Sequence, residues 1–126
     1  MDLDLNQYLD IFVEEGREHL QNINDILLEL EKDTENKELI NELFRVAHTI
    51  KGMAGTMGFN NIANLTHEME NVLDAVRNSK IKLSTDVIDI LFKCFDTLDL
   101  NINYVAEHSN EMEDENADLI NKLKGI

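Results

Sequence analysis

The sequence predicts an all-α protein, folded as an up-down-up-down antiparallel four-helix bundle with a short fifth helix at the C-terminus. First, the 126 residues contain no proline and only 5 glycines, so little in the chain interrupts a helix. Second, apolar residues recur at alternating spacings of three and four, which places them on one face of a helix. Third, short polar connections separate four such segments, as is typical of antiparallel bundles.

The first two helices are predicted over about residues 5–32 and 37–57. Polar turn-forming residues at 33–36 separate them, and the side chain of Asn36 is suited to cap the second helix. Gly58 predicts the end of that helix, because glycine adopts a left-handed conformation at low cost. The residues that define the two stripes are Leu9, Phe12, Gly16, His19, Ile23, Ile26 and Leu30, then Ile40, Leu43, Ala47, Ile50, Ala54 and Met57.

The third and fourth helices are predicted over about 61–78 and 85–107. Asn60 or Asn61 is the expected N-cap of the third helix, and Ser84 that of the fourth. Their inward residues are predicted to be Ile62, Leu65, Met69, Val72 and Val76, then Val87, Leu91, Phe95, Leu98, Ile102 and Val105.

The C-terminal part of the chain holds a shorter amphipathic segment, predicted as a fifth helix over about 115–124. Such a segment either docks on the bundle or frays at the chain end. We find no internal repeat and no linker, so the whole chain, 1–126, is interpreted as one domain.

Composition excludes several classes of partner. A formal net charge of −15 repels phosphate backbones and anionic lipid, so neither nucleic acid nor a membrane surface is expected as a partner. The longest apolar runs fall well short of the roughly 20 residues that span a bilayer, so membrane insertion is not expected. A single cysteine, Cys94, and the lack of a basic signal-peptide start indicate a cytoplasmic protein. Other proteins are therefore the expected partners.

His48 is the candidate working residue. The helical wheel turns it away from the apolar stripe of the second helix and toward solvent. Gly52 and Gly55 lie one and two turns further along the same face, although each interior glycine costs a helix up to about 1 kcal/mol. Two bare positions beside an imidazole would let another protein approach it closely. The alternative is an inert surface histidine near a softened helix end, which spacing alone favours.

Charged and polar neighbours on two helices could assist this imidazole. Lys51 follows His48 by three residues, so its ammonium could meet anionic oxygens on the ring. His67 and Glu70 share one face of the third helix, and Glu70 lies on its flank. If the two flanks share a groove, Glu70 could accept a hydrogen bond from His48 Nδ1–H and leave Nε2 free. The wheel leaves the groove undecided, and an ordinary acidic or lysine-bearing surface is the alternative.

Competing chemistries fit less well. The chain lacks the two Glu-x-x-His pairs of a di-iron bundle and the second histidine of a zinc-protease helix. It has no phosphate-binding glycine loop, so nucleotide binding by this chain is not expected. Cys94 lies on an apolar stripe and is interpreted as a core residue and not a nucleophile. No bound metal or cofactor is expected.

A resemblance to a known family rests on two segments. They are His48-Thr49-Ile50-Lys51-Gly52-Met53-Ala54-Gly55-Thr56-Met57-Gly58-Phe59 and Thr66-His67-Glu68-Met69-Glu70-Asn71. They resemble the histidine-containing phosphotransfer (HPt) family, and in particular the N-terminal phosphotransfer domains of CheA chemotaxis kinases. The resemblance extends from the first helix through at least the fourth. Met53 departs from it, since many relatives have glycine there.

The resemblance implies a function. It makes His48 the phosphoacceptor, Glu70 the carboxylate that orients it, Lys51 and His67 assisting residues, and Gly52 and Gly55 docking positions. The phosphoryl donor would be ATP held by a separate CheA catalytic domain, and the acceptors would be aspartates of CheY-like and CheB-like response regulators.

Segments for dimerisation, ATP binding and receptor coupling are not recognised, so an excised or free-standing domain is expected. The alternatives are a phosphotransfer protein of another phosphorelay, a structural or interaction bundle and, less well supported, a metal-binding bundle.

Overall fold

The computed structural model describes residues 5–126, with side chains from Asn6 onward; residues 1–4 of the expected domain lie outside the described part. Five helices follow one another along the chain: α1 (Leu5–Lys32), α2 (Lys37–Met57), α3 (Asn60–Arg77), α4 (Thr85–His108) and α5 (Ala117–Lys124). The first two have the predicted bounds, and α3 begins and ends one residue earlier than predicted. α4 ends one residue later than predicted, and α5 begins two residues late.

The four long helices form a bundle in which each helix packs on two others. α1 packs on α2 and α4, and α3 packs on α2 and α4. The predicted four-helix bundle is therefore confirmed. The pair that matters for function is α2 and α3, which lie side by side and share an extended interface.

The core is aliphatic and lies along the bundle axis, as the stripes predicted. Burying each such side chain contributes about 1.5–3 kcal/mol, so the packed stripes and not helix propensity stabilise the fold. His19, Met57 and Phe95, predicted to point inward, are only half-buried. The largest fully buried side chains are Ile23, Leu27, Leu30, Leu43, Ile50, Ile62, Leu65, Met69, Leu73, Leu91, Leu98 and Ile102.

Three of the predicted helix ends are confirmed in atomic detail. The side-chain oxygen of Asn36 accepts a hydrogen bond from Leu39 N at 3.2 Å at the start of α2. Ser84 Oγ accepts one from Val87 N at 3.2 Å at the start of α4. Gly58 ends α2 with φ +75°, the left-handed conformation that only glycine adopts without strain. These caps fix where the site-bearing helix α2 begins and ends.

The predicted cap of α3 is wrong. Phe59, not Asn60 or Asn61, occupies the N-cap position, and its side chain is buried edge-on against Phe12, with ring centroids 5.1 Å apart. A buried aromatic anchors the chain here but offers no hydrogen-bond acceptor. A carboxylate from the α4–α5 connection supplies it, since Glu111 Oε2 accepts hydrogen bonds from Asn61 N at 3.0 Å and from the next amide at 3.4 Å. An anion at this position also suits the positive end of the helix dipole.

The fifth helix is docked and not frayed. It packs against α3 and α4 and buries Leu123. Its late start follows from Asn116, which adopts a left-handed conformation with φ +57° immediately before the first helical residue. The C-terminal segment thus belongs to the packed structure.

Two structural features are not found in residues 5–126, and the one cysteine there is buried. No helix there is sufficiently long and apolar to cross a membrane. The same residues contain no cluster of three or more histidine, cysteine or acidic side chains that could hold a metal ion. Burial raises the pKa of the Cys94 thiol to about 12, which keeps it protonated and agrees with its interpretation as a core residue.

Candidate functional site

His48 lies on the outer face of α2. Its predecessor Ala47 is buried in the core, whereas 62% of the His48 side chain is exposed. The hydrophobic stripe of α2 therefore orients this histidine by turning the opposite face inward. The structure confirms the prediction that the His48 side chain faces solvent.

Glu70 of α3 faces His48 across a shared groove, so the arrangement that the helical wheel left open is resolved. The distance from His48 Nδ1 to Glu70 Oε2 is 3.2 Å. Only 9% of the Glu70 side chain is exposed. A carboxylate this buried is costly unless it is paired, and the groove provides its partners. Residues 22 positions apart in sequence thus form one hydrogen-bonded unit.

Lys51 is the second partner of the same carboxylate. Its Nζ donates a hydrogen bond to Glu70 Oε2 at 3.3 Å and lies 3.0 Å from Oε1. We attribute the contact with Oε1 to charge attraction at close range. The lysine is half-buried, with 29% of its side chain exposed, and offsets the charge of Glu70. Lys51 is therefore tied to the orienting carboxylate in addition to lying beside the imidazole.

This pairing determines which ring nitrogen is reactive. An ionised carboxylate only accepts hydrogen bonds, so His48 Nδ1 must be the donor. In the neutral ring, the lone pair then resides on Nε2. The geometry matches the carboxylate–imidazole half of a catalytic triad, with the histidine free to act as nucleophile.

Gly52 and Gly55 leave the groove beside the imidazole uncovered. Both are exposed on the same face of α2 as His48. Apart from the adjacent residues and the backbone of its own helix, a Cβ atom added at either position would meet nothing within 4 Å in the described part of the chain. Internal packing therefore does not require glycine at these positions. The structure thus leaves open space beside the imidazole at both positions.

His67 lies one turn before Glu70 on α3 and is exposed. Within residues 5–126, no hydrogen bond joins it to His48, Lys51 or Glu70. Its position on the same helix face is as predicted, and its assisting role stays a prediction.

Sequence reasoning did not identify Phe44, whose ring lies near the imidazole, or Arg77, which contacts the Phe44 ring. The Phe44 ring is parallel to the His48 ring within 5°, with centroids 6.4 Å apart. Arg77 of α3 places its Cζ 4.2 Å from the centroid of Phe44 and donates a hydrogen bond to Asp74 Oδ1 at 2.7 Å. Phe44 precedes His48 by four residues, the spacing of side-chain neighbours on a helix, and that spacing was the available signal.

Comparison with known proteins assigns the chain to a family. The model of the Hpt domain family matches residues 7–122. The chemotaxis protein CheA of Bacillus subtilis (strain 168) is 46% identical over 112 residues, which cover 89% of this chain and 17% of that protein. The chain thus spans less than a fifth of the length of the curated relatives it matches.

Solved structures agree in fold. The CheA phosphotransferase domain from Thermotoga maritima is 50% identical, with a TM-score of 0.79 over 83% of this chain and 99% of that one. The phosphorylated P1 domain of CheA3, solved in complex with CheY6 from R. sphaeroides, is 22% identical, with a TM-score of 0.87 over 94% of each chain. The match over residues 7–122 and the likeness to the Thermotoga domain lead to one conclusion. The chain belongs to the Hpt domain family, as a histidine phosphotransfer domain of the CheA type.

Proposed function

We propose that this domain carries a phosphoryl group on His48 Nε2 between two other proteins. The donor is ATP bound by the catalytic domain of a CheA-type kinase, and the acceptor is an aspartate of CheY-like or CheB-like response regulators. The observation that carries the proposal is an exposed imidazole whose Nδ1 is bonded, at 3.2 Å, to a buried carboxylate.

The loading step needs no proton transfer. The Nε2 lone pair attacks the γ-phosphorus, the bond from that phosphorus to the ADP oxygen breaks, and ADP leaves with the electron pair. The ring, which still holds its Nδ1 proton, becomes a phosphoimidazolium. Glu70 stabilises the positive charge that develops on the ring, because a hydrogen bond to an ionised carboxylate strengthens as its donor becomes charged.

The unloading step reverses the charge change. A carboxylate oxygen of the regulator attacks phosphorus, the P–N bond breaks, and its electron pair returns to Nε2. The ring is again neutral, with its proton still on Nδ1. The same hydrogen bond to Glu70 therefore serves both steps, and the domain ends each cycle unchanged.

Neighbouring residues support both transfers in this proposal. Lys51, whose Nζ is 3.0 Å from the Glu70 carboxylate, keeps a positive charge near the incoming phosphoryl oxygens. Exposed His67 offers a further polar contact to them. Gly52 and Gly55 admit the partner surface, as the open space around them indicates. No metal or cofactor is assigned to this chain, and we place the domain in the cytoplasm, with kinase and regulators.

The partners follow from the relatives. The protein with 22% identity was solved bound to CheY6, which makes a regulator of the CheY type a sound first acceptor to test. The curated relatives named CheA are more than five times longer than the matched segment, so we propose a kinase catalytic domain of the CheA type as the donor.

The test is phosphorylation of this chain by a CheA catalytic fragment with γ-labelled ATP. We expect acid-labile label on the wild-type chain, lost to an added CheY-type regulator, and none on the His48→Gln variant. Gln removes the nucleophile from an exposed position, so the helical fold should persist, as circular dichroism would check. Acid-labile label on that variant, or an unlabelled wild-type chain, would overturn the proposal.

A further inference from the structure

One side of the imidazole is bordered by a row of side chains with no role in the mechanism above. Asp74 holds Arg77 at 2.7 Å, Arg77 covers the Phe44 ring at 4.2 Å, and Phe44 lies parallel to His48. The row starts on α3 and crosses to α2. His48 is thus linked to α3 by two routes, through Glu70 and through Phe44.

The hydrogen bond to Glu70 does not by itself fix the plane of the ring. The torsion that rotates an imidazole about its Cβ–Cγ bond has broad minima. A single hydrogen bond of 3.2 Å still permits donor angles between about 120° and 180°. Since 62% of the His48 side chain is exposed, little surrounding packing limits this rotation. A second restraint is therefore needed to aim Nε2 in one direction.

We propose that Phe44 and Arg77 are positioning residues that set the plane of the His48 ring. The Phe44 ring provides a face parallel within 5° to the imidazole, and Arg77 holds that face in place through a cation–π contact. The inference deepens the proposed function and rests on it for its purpose. Its geometric content, a restrained imidazole plane, stands separately.

Arg77 suits this task because two separate contacts hold its guanidinium in place. Its guanidinium donates to Asp74 within α3 and lies over an aromatic ring of α2, although 38% of its side chain is exposed. Phe44 is half-buried and packs against the edge of the core, so one part of its ring is held by the core and another part is open to the Arg77 guanidinium. Arg77 is held by Asp74 on α3 and contacts Phe44 on α2. It therefore connects α3 to the side chain that lies parallel to His48.

The experiment compares two removals with two conservative replacements. Arg77→Gln removes the cation and Phe44→Leu removes the ring, whereas Arg77→Lys and Phe44→Tyr keep them. Arg17→Gln, on the far α1–α4 side where Arg17 bonds Asn103 at 3.1 Å, is the matched control for loss of a positive charge. Circular dichroism and thermal unfolding establish that each variant is folded.

Two phosphoryl donors separate positioning from docking. One is a CheA catalytic fragment with ATP, and the other is phosphoramidate, a small molecule that loses ammonia as its phosphorus bonds to Nε2. We expect both rates to fall about tenfold for Arg77→Gln and Phe44→Leu, as misorientation of a nucleophile predicts. Arg77→Lys, Phe44→Tyr and Arg17→Gln should stay within about twofold of wild type with both donors.

NMR of the imidazole adds a readout that a purely structural role would not change. The ring-current shifts that Phe44 imposes on the His48 ring protons should shrink in Arg77→Gln, while the tautomer set by Glu70 is preserved. Wild-type rates in both removal variants, together with an unchanged ring-current shift in Arg77→Gln, would overturn the inference. A rate that falls with the kinase fragment but not with phosphoramidate would also overturn it, because that result would assign Phe44 and Arg77 to docking of the kinase. If the wild-type chain takes no label from the kinase, the proposed function fails, and the phosphoramidate and NMR results still decide this inference.

Discussion

Two glutamates bridge separate elements of this molecule. One of them lies at the candidate functional site, and the other caps a helix. Glu70 of α3 binds a side-chain nitrogen of α2 at 3.2 Å, and Glu111 of the α4–α5 connection binds two backbone amides of α3 at 3.0 and 3.4 Å. In both glutamates the oxygen that accepts these hydrogen bonds is Oε2, and the bonds join parts of the chain that are distant in sequence.

The difference between them lies in what each leaves unpaired. The amides that Glu111 binds have a single hydrogen each, so that interaction is complete once formed. Imidazole has two nitrogens, and Glu70 occupies one of them while 62% of the side chain remains exposed. The comparison teaches that a bridging carboxylate can belong to a reactive site when its partner has a second reactive atom that stays exposed to solvent. Variants of each glutamate test this distinction.

Replacing Glu70 should have the largest effect. In Glu70→Ala the ring loses the acceptor that fixes its tautomer and stabilises its developing charge, so we expect phosphorylation by a CheA catalytic fragment to slow about 100-fold. Glu70→Gln keeps an acceptor without its charge and should fall between this variant and wild type. Rates would be measured by label incorporation at low conversion. An Ala variant as fast as wild type would show that the carboxylate does not orient His48. Unfolding should shift little, because the Lys51 ammonium and the His48 imidazole, which lose their partner, both reach solvent.

A bulky side chain on the uncovered face should have an intermediate effect. Gly55→Leu should slow transfer from the kinase and to a regulator about tenfold, since it fills the space a partner needs, and should leave the phosphoramidate rate unchanged. Gly55→Ala is the matched control: its Cβ meets nothing within 4 Å among the described residues, and helix propensity favours alanine over glycine. If Leu is tolerated by both protein partners, the docking role of this face is excluded.

Replacing Glu111 should have the smallest effect, and on stability alone. Glu111→Ala leaves two amides at the start of α3 without their acceptor, which we expect to lower the free energy of unfolding by about 1 kcal/mol. Urea denaturation would measure this, with Glu113→Ala as control because Glu113 is exposed in the same connection. The phosphorylation rate should not change. A rate that fell with Glu111→Ala would contradict the contrast between the two glutamates.

The sequence predicted most of the fold because local signals agree with the packing. The caps at Asn36, Gly58 and Ser84 depend on residues next to the helix ends, and the stripes depend on spacing within each helix. The cap of α3 was mispredicted because its acceptor, Glu111, is 50 residues away from the amide it binds, and no local pattern indicates it.

The site was predicted in part for the same reason. The exposure of His48 follows from its own helix, and that position was right. The contact with Glu70 depends on how α2 and α3 are rotated against each other, which a helical wheel leaves undetermined and the structure resolves. Arg77 was missed because its contact with Phe44 also crosses between helices. The ion pair of Lys51 and Glu70 was missed for the same reason.

The placement of His48 outside the core has a consequence for the loaded state. A phosphoryl group on Nε2 carries about two negative charges on its oxygens beside a positively charged ring, and here it enters solvent instead of the packed interior. No aliphatic side chain has to move, so we expect the backbone of the domain to be the same with and without its cargo. A regulator then recognises readiness for transfer from the phosphate oxygens themselves, and the bundle needs no conformational switch to report it.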